Sequence, residues 1–186
     1  MATKPTVIGL CGEAKTGKST MAEFLTTLGY TELSFATPIK QIGEIFFFTP
    51  EQLYGSQEEK AMPHPYWGFS ARDFLQRVGT ELFRETLPKF FPNLGEDVWI
   101  KHMEYRISRL SSDKYVISDV RHPNEAKFIR EKGGILIKCL RNTDVSDKHR
   151  NHLSEVNVNK IDCDLIVDND KLNVQQAREL VFKFLN

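Results

Sequence analysis

The sequence predicts an α/β fold, a parallel sheet with helices on both faces. Three observations carry that reading. Short apolar runs of strand length alternate with helical patterns along the 186-residue chain. The first such run, Val7-Ile8-Gly9-Leu10-Cys11, passes through a glycine-containing turn into a helical pattern, the order of a βα unit. The stretch between the second and third strands reads as mostly helical, which a hairpin connection would not require.

Taken in order, the first strand spans Thr6 to Cys11 and the first helix Gly17 to Leu28, with Gly29 marking its end. A second strand covers Thr31 to Phe35. Pro38 suits the first turn of a helix running to about Phe46, and Thr49-Pro50-Glu51-Gln52 reads as the capped start of a short one. Residues 55–69, rich in Gly, Pro, His and charge, read as a mobile loop. Ser70-x-x-Asp73 opens a long helix to about Leu87; Pro88, Pro92 and Gly95 then break the chain. A helix from Asp97 to Leu110, a strand from Tyr115 to Asp119, a helix from Pro123 to Lys132 and a strand from Ile135 to Leu140 follow. A polar segment 141–160, a strand Leu165 to Val167 and a helix Val174 to Leu185 complete the pattern.

Composition excludes several classes. Lysine and arginine number 25 against 25 acidic residues, with no block of like charge, so neither nucleic acid nor an acidic membrane is the expected partner. No apolar run reaches the ~18 residues of a membrane span, no signal peptide is evident, and a cytoplasmic setting is expected. Cys11, Cys139 and Cys163 are dispersed and odd in number, as befits reduced, buried thiols. No cysteine pair has zinc-ligand spacing. His149-x-x-His152 is the only tight histidine pair and reads as two loop histidines in preference to a metal site.

The strongest signal is Gly12-Glu13-Ala14-Lys15-Thr16-Gly17-Lys18-Ser19, which fits G-x-x-x-x-G-K-[ST]. Glycines let the chain wrap closely around an anion, successive backbone N–H groups then point inward, and the following helix adds its positive end. Gly12, Ala14, Lys15, Thr16, Gly17, Lys18, Ser19 and Thr20 are therefore the predicted contacts to a nucleoside triphosphate. Lys18 would reach the β- and γ-phosphates, and Ser19 would offer its hydroxyl to Mg²⁺. Asp119 ends an apolar strand, where phosphoryl-transfer enzymes need a carboxylate near the metal; a loop cap before Pro123 is the plain alternative. Arg121 can donate to transferring phosphoryl oxygens or pair with Asp119 or Glu125. All of these fall at carboxyl ends of strands, where open α/β sheets bind ligands.

The helix from Ser70 carries Phe74, Leu75, Val78 and Leu82 as an apolar stripe. Arg72, Gln76, Thr80 and Arg84 recur every four residues on another face. Arginine can bind a monophosphate bidentately, and glutamine or threonine can read a base edge; a solvated polar face is the alternative. Phe47, Phe48, Phe69, Phe90, Phe91 and Trp99 can supply an aromatic wall or core.

These motifs together resemble the deoxynucleoside monophosphate kinases of phages and large viruses, over nearly the whole chain. Beyond the phosphate loop, the resemblance rests on Phe35-Ala36-x-Pro38-x-Lys40 and Ser70-x-Arg72-x-x-Leu75-Gln76-x-x-Gly79-Thr80-Glu81-x-x-Arg84. It continues through Asp97-x-Trp99, Asp119-Val120-Arg121-x-Pro123-Asn124-Glu125 and His152-x-Ser154-Glu155. It implies a three-layer P-loop NTPase fold with a parallel five-stranded sheet in one kinase domain. The core would be residues 1–35, 111–140 and 161–186, with a helical monophosphate-binding insertion at 36–110 and a short lid at 141–160. It implies phosphoryl transfer from ATP, with Mg²⁺, to a deoxynucleoside monophosphate. Lys18, Asp119 and Arg121 would be catalytic, and Ser19 and Asp119 would hold the metal. Lys40, Arg72, Gln76, Thr80, Arg84 and Trp99 would form the acceptor pocket, and Arg141, Lys148 and Arg150 would be lid cations. A homodimer is implied by the family, and host cytoplasm if the chain is virus-encoded. Two positions depart from the pattern: many relatives carry Asp at Ser19 and an aromatic at His122. Asn169 and Asp170, after the last strand, are candidates for the ATP base. Other readings stay open: a P-loop kinase for phosphomevalonate, dephospho-coenzyme A or a sugar acid, or a nucleotide-switched binding module. The last would need guanine-reading signals, and no Asn-Lys-x-Asp run follows the fourth strand.

Overall fold

A computed structural model describes residues 6–142, 158 and 160–186. In chain order the elements are β1 (Val7–Cys11), α1 (Lys18–Thr27), β2 (Thr31–Leu33), α2 (Thr37–Ile45), α3 (Pro50–Tyr54), α4 (Gln57–Ala61) and α5 (Ala71–Arg77). A π-helical stretch (Val78–Thr86) runs into α6 (Leu87–Phe90), followed by α7 (Val98–Ser108), β3 (Tyr115–Val120), α8 (Pro123–Glu131), β4 (Ile135–Leu140), β5 (Leu165–Asp168) and α9 (Val174–Phe184). The chain divides into two compact units, residues 1–34 with 109–186, and residues 35–108.

The first unit is built on a five-stranded sheet of order β2-β3-β1-β4-β5. Every pairing is parallel, as the alternation of strands and helices requires. β1 lies at the centre and is buried along its whole length, which is why it reads as an unbroken apolar run. Ile8 and Leu10 join Met21, Ala22 and Leu25 of α1 and Ala177 and Val181 of α9 in one core. Gly9 points to the opposite face, where Ile129 of α8 packs so closely that a β-carbon at residue 9 would lie 2.4 Å from its Cδ1. Helices therefore cover both faces, and the carboxyl ends of β1 and β3 form one edge.

The second unit is helical, with Phe48, Leu53, Ala71 and Phe74 at its centre. Two of its features differ from the sequence reading. Residues 55–69 contain α4, capped by Ser56 and Glu59: the Glu59 amide donates to Ser56 Oγ at 3.1 Å and the Ser56 amide to Glu59 Oε2 at 2.6 Å. Such a reciprocal cap satisfies two amide groups at a helix start and outweighs the loop-like composition around it. The expected long helix is α-helical only to Arg77. The π stretch takes over from there, and Pro88 lies in the first turn of α6. A π turn holds more residues than an α turn, so Phe83 arrives where α geometry would put Leu82. Leu82 is accordingly 45% exposed, while Phe83 packs on Trp99 with ring centroids 4.7 Å apart.

The polypeptide after β3 is fixed by Glu125. This side chain is 2% exposed, and its Oε2 accepts from the backbone amides of Arg121 at 2.8 Å and His122 at 3.1 Å. Glu125→Ala should strip both amides of their acceptor and cost about 1–3 kcal/mol, visible as a drop of several degrees in Tm. Glu125→Gln should recover most of it, since an amide oxygen still accepts. A Tm for Glu125→Ala within one degree of the native value would show that the turn is held by something else.

Candidate functional site

The segment leaving β1 turns on two glycines. Gly12 has φ +138°, and a β-carbon there would come within 2.3 Å of the Cys139 carbonyl oxygen and 2.8 Å of Thr16 Oγ1. Gly17 has φ +100° at the N-cap of α1, where a β-carbon would stand 2.8 Å from Asn169 Nδ2. Lys15 between them also has positive φ, 65°. Such reversals turn successive backbone amides to one side and form an anion-binding concavity.

The loop closes around a positive charge. Lys18 Nζ donates to the carbonyls of Gly12 at 2.7 Å and Glu13 at 2.5 Å. Thr16, 2% exposed, donates from Oγ1 to the Glu13 carbonyl at 2.8 Å, a structural use of that hydroxyl. The N-terminus of α1 has neither a side-chain cap nor an acid in its first turn, so its amides and dipole favour an anion. Burial pushes the Cys139 thiol up to about 11, against the pull of the Lys18 ammonium. Cys11 is pushed well above the ordinary thiol range by its hydrogen bond with Cys163, their Sγ atoms 3.7 Å apart, and by burial. Cys11 and Cys139 are thus protonated structural groups. Ser19 is exposed in the first turn of α1, and Ala14 and Thr20 are half-buried.

Asp119 enters from β3 with a local irregularity that re-aims it. Gly9 pairs with Ile117 but Cys11 with Val120, so β3 carries one extra residue across Ser118 and Asp119. Bulges of this kind redirect side chains beside functional sites. Ser34, one residue past β2, donates from Oγ to Asp119 Oδ2 at 2.7 Å and holds the carboxylate half-buried. Arg121 stands two residues on, its amide bound by Glu125. The register of β1 against β3 thus brings the phosphate loop, Asp119 and Arg121 to one sheet edge.

In the helical unit, Arg72, Gln76, Thr80 and Arg84 are each half-buried, while Asp73, Arg77, Glu81 and Glu85, one residue later in each case, are exposed. Four-residue steps on an α-helix drift by roughly 40° each, and the wider π turn reverses that drift, so the four residues keep one face. Arg72 is directed by Gln57, donating from Nη2 to its carbonyl at 3.0 Å and to its side-chain oxygen. Arg84 Nη1 donates to the Glu96 carbonyl at 3.3 Å. Lys40 Nζ sits 4.4 Å from the centre of the Tyr54 ring, a cation–π contact. Trp99 is interior, donating from Nε1 to the Gly79 carbonyl at 2.9 Å, which fastens α7 to the π stretch. Its placement is that of a framework residue beneath the polar face.

Arg141 is exposed at the end of β4. Lys148 and Arg150, like His149, His152, Ser154 and Glu155, lie outside the described residues. Asp170 accepts from the Asn142 amide at 2.8 Å. Sequence reasoning missed Ser34, whose partner is 85 residues away. It also missed the use of Asn169, whose Nδ2 donates to the Thr16 carbonyl at 2.7 Å and clamps the phosphate loop from β5. Among the described residues, no group of three or more His, Cys, Asp or Glu side chains could hold a metal unaided. Among the described residues, no helix is long and apolar enough to cross a membrane.

Comparison with known proteins gives this arrangement a context. Residues 57–177 match the sequence model of the deoxynucleotide monophosphate kinase family. A protein of Acanthamoeba polyphaga mimivirus, provisionally named deoxynucleotide monophosphate kinase, is 41% identical over 173 residues, covering 89% of each chain. The deoxynucleoside-5'-monophosphate kinase of Escherichia phage T5 is 32% identical over 102 residues, 55% of this chain and 36% of the phage protein. The solved structure of TT1252 from Thermus thermophilus aligns over 99% of this chain and 100% of its own, with a TM-score of 0.51 at 18% identity; that likeness is one of fold.

Asn169→Ala should release the Thr16 carbonyl and loosen the loop. Affinity for a nucleoside triphosphate, read by titrating a fluorescent analogue, should fall about five- to tenfold, the worth of one ordinary hydrogen bond. Unchanged affinity would show that the clamp is dispensable.

Proposed function

The chain belongs to the deoxynucleotide monophosphate kinase family, and we propose that it transfers the γ-phosphoryl group of ATP to a deoxynucleoside monophosphate, giving a deoxynucleoside diphosphate and ADP. The observation that carries this reading is the loop closed around Lys18 at the carboxyl edge of the sheet. It is a cradle for a polyphosphate in a chain whose relatives are named as monophosphate kinases.

In this reading the first unit holds ATP. The inward amides of residues 12–17 bind the β-phosphate, and Lys18 exchanges its carbonyl partners for β- and γ-phosphate oxygens. Mg²⁺ takes only one or two protein oxygens in such sites, with phosphates and water supplying the rest. The donor set present, Ser19 Oγ and the Asp119 carboxylate, fits that demand. Bound there, the metal would neutralise charge on the phosphate oxygens. Ser34 keeps Asp119 aimed, and Arg121 meets the negative charge of the transferring group as a planar two-pronged donor.

The helical unit holds the acceptor. Lys40, Arg72 and Arg84 grip its phosphate, and Gln76 and Thr80 read the base edge. The acceptor's phosphate oxygen is itself the nucleophile, so attack is direct and in line and needs no strong general base. Catalysis is then positioning and charge neutralisation. The reduced state of all three cysteines suits a cytoplasmic setting.

Lys18→Ala should lower kcat by at least about 10²–10³, the usual loss on removing one transition-state donor, with an unchanged Tm. Turnover near the native rate would remove the loop from the mechanism. Arg72→Ala should raise the KM for the deoxynucleoside monophosphate about tenfold or more while leaving the KM for ATP near native; the reverse pattern would place the acceptor elsewhere. Coupled ATP consumption with each deoxy- and ribonucleoside monophosphate, beside phosphomevalonate and dephospho-coenzyme A, separates this reading from kinases for other small acceptors.

A further inference from the structure

Two thiols meet directly behind the phosphate loop. Cys11 is the last residue of β1, and its Sγ lies 3.7 Å from that of Cys163, which stands two residues before β5. The strands they adjoin are not neighbours, since β4 lies between β1 and β5, so the two sulfurs meet across it. Phosphoryl transfer as derived above uses neither of them. A disulfide holds its sulfurs about 2.0 Å apart, so closing one here asks for an approach of roughly 1.7 Å from the observed 3.7 Å.

The pair is asymmetric. Cys11 is fully buried and Cys163 only half-buried, so a small oxidant in solution meets Cys163 first. Cys163 is also the sulfur that ionises more readily. Its hydrogen bond with Cys11 holds it below the ordinary thiol range; burial opposes this, the Lys138 and Arg130 cations assist it, and the Asp164 carboxylate works against it. Cys11 is displaced the other way and keeps its proton. An accessible thiol of raised thiolate character, beside a second thiol able to displace what is added to it, is the arrangement of oxidant-sensitive sites. Cys139 lacks it, being buried and held protonated.

We propose that Cys163 is a site of reversible oxidation by a peroxide, and that Cys11 then closes a disulfide with it that weakens the grip of the loop on a nucleoside triphosphate. The Cys163 thiolate attacks one peroxide oxygen, the O–O bond breaks and hydroxide leaves, so the sulfur gives up two electrons and becomes a sulfenic acid. The Cys11 sulfur attacks that of Cys163, the S–O bond breaks, and the departing hydroxide takes the Cys11 proton as water. Overall, two thiols and one peroxide give one disulfide and two waters. The loop feels this because it has no slack. Cys11 precedes Gly12, where a β-carbon would stand 2.3 Å from the Cys139 carbonyl oxygen, and the Gly12 carbonyl is one of the two that hold Lys18. Beyond the far end of β5, Asn169 holds the Thr16 carbonyl. The bridge therefore ties together the two strands whose carboxyl ends fix the loop, and drawing the sulfurs inward displaces one of them against it. The effect on nucleotide rests on the assignment of this loop to ATP above.

The test treats the full chain with near-stoichiometric hydrogen peroxide, then maps its cysteines and titrates it with a fluorescent ATP analogue. The three cysteines fall on separate tryptic peptides, so mass spectrometry identifies any bridge. The peptides of Cys11 and Cys163 should appear joined with the loss of two hydrogens. Affinity for the analogue should fall about tenfold or more, equivalent to about 1.4 kcal/mol, and dithiothreitol should reverse both changes. Cys163→Ser and Cys163→Ala should bind the analogue as the reduced native chain does and keep that affinity through peroxide. Absence of the bridge overturns the proposal, as does a bridge to Cys139 or between two copies. A Cys11–Cys163 bridge that leaves affinity unchanged overturns it too, and so does a loss of affinity that persists in both variants. If peroxide reversibly weakens analogue binding through this bridge but the reduced chain phosphorylates no deoxynucleoside monophosphate, the oxidation site stands and the kinase reading falls; phosphoryl transfer at the same rate before and after peroxide does the reverse.

Discussion

The contact on which the candidate site depends is the closeness of residue 12 to the neighbouring strand. The chain leaves β1 and reverses directly against the Cys139 carbonyl of β4, where a β-carbon would sit only 2.3 Å from that oxygen. Because none is present, the loop closes tightly enough for Lys18 to reach two of its carbonyls. Thr16 and Asn169 then lock it from inside and outside. The resulting charge is local: main-chain amides, one helix end and one ammonium converge in a few ångströms. In the proposed reading, an anion held there would meet dipoles already in place, leaving little reorganisation for the moment of transfer.

What the sequence made legible follows from how local each signal is. The phosphate loop occupies eight consecutive residues and could be read without knowledge of the fold. β1 and its parallel neighbours were legible as apolar runs because burial on both faces leaves no polar alternation. Asp119 could be placed at a strand end, but the reason its carboxylate is aimed could not. Ser34 lies 85 residues earlier in the chain, and the extra residue of β3 becomes visible only when its register against β1 is known. Asn169 is a similar case: its place after the last strand suggested a base contact, whereas its amide nitrogen serves a loop 153 residues away.

The helical unit shows a different limit. Periodicity arguments assume 3.6 residues per turn, and the stretch from Val78 to Thr86 does not obey it. The polar stripe of Arg72, Gln76, Thr80 and Arg84 survives because four-residue spacing matches a mixture of α and π turns better than either alone. The apolar stripe does not survive intact, since Phe83 replaces Leu82 on the inside. The Trp99 bond to the Gly79 carbonyl offers a physical cause: a side chain entering the helix ladder draws a carbonyl from its ordinary direction. α4 was legible in principle through its Ser56–Glu59 cap, yet the glycines, prolines and histidines around it pointed to a loop. The cap decided the outcome because it satisfies specific amides, whereas composition only describes an average.

Balanced charge gives these local arrangements their meaning. A chain with 25 cations and 25 anions exerts little net long-range field, so it gains nothing from the indiscriminate attraction that draws basic proteins to polyanions. Affinity for a phosphorylated small molecule must then come from geometry at short range, where Coulomb terms are strong and selective. The cations proposed to grip the acceptor each have a partner that orients them: Gln57 for Arg72, the Glu96 carbonyl for Arg84, the Tyr54 ring for Lys40. Oriented in this way they can exchange a neutral partner for a phosphate without first ordering a free side chain. The entropic cost of binding has been met largely in folding, which is the same economy that the phosphate loop achieves with its backbone.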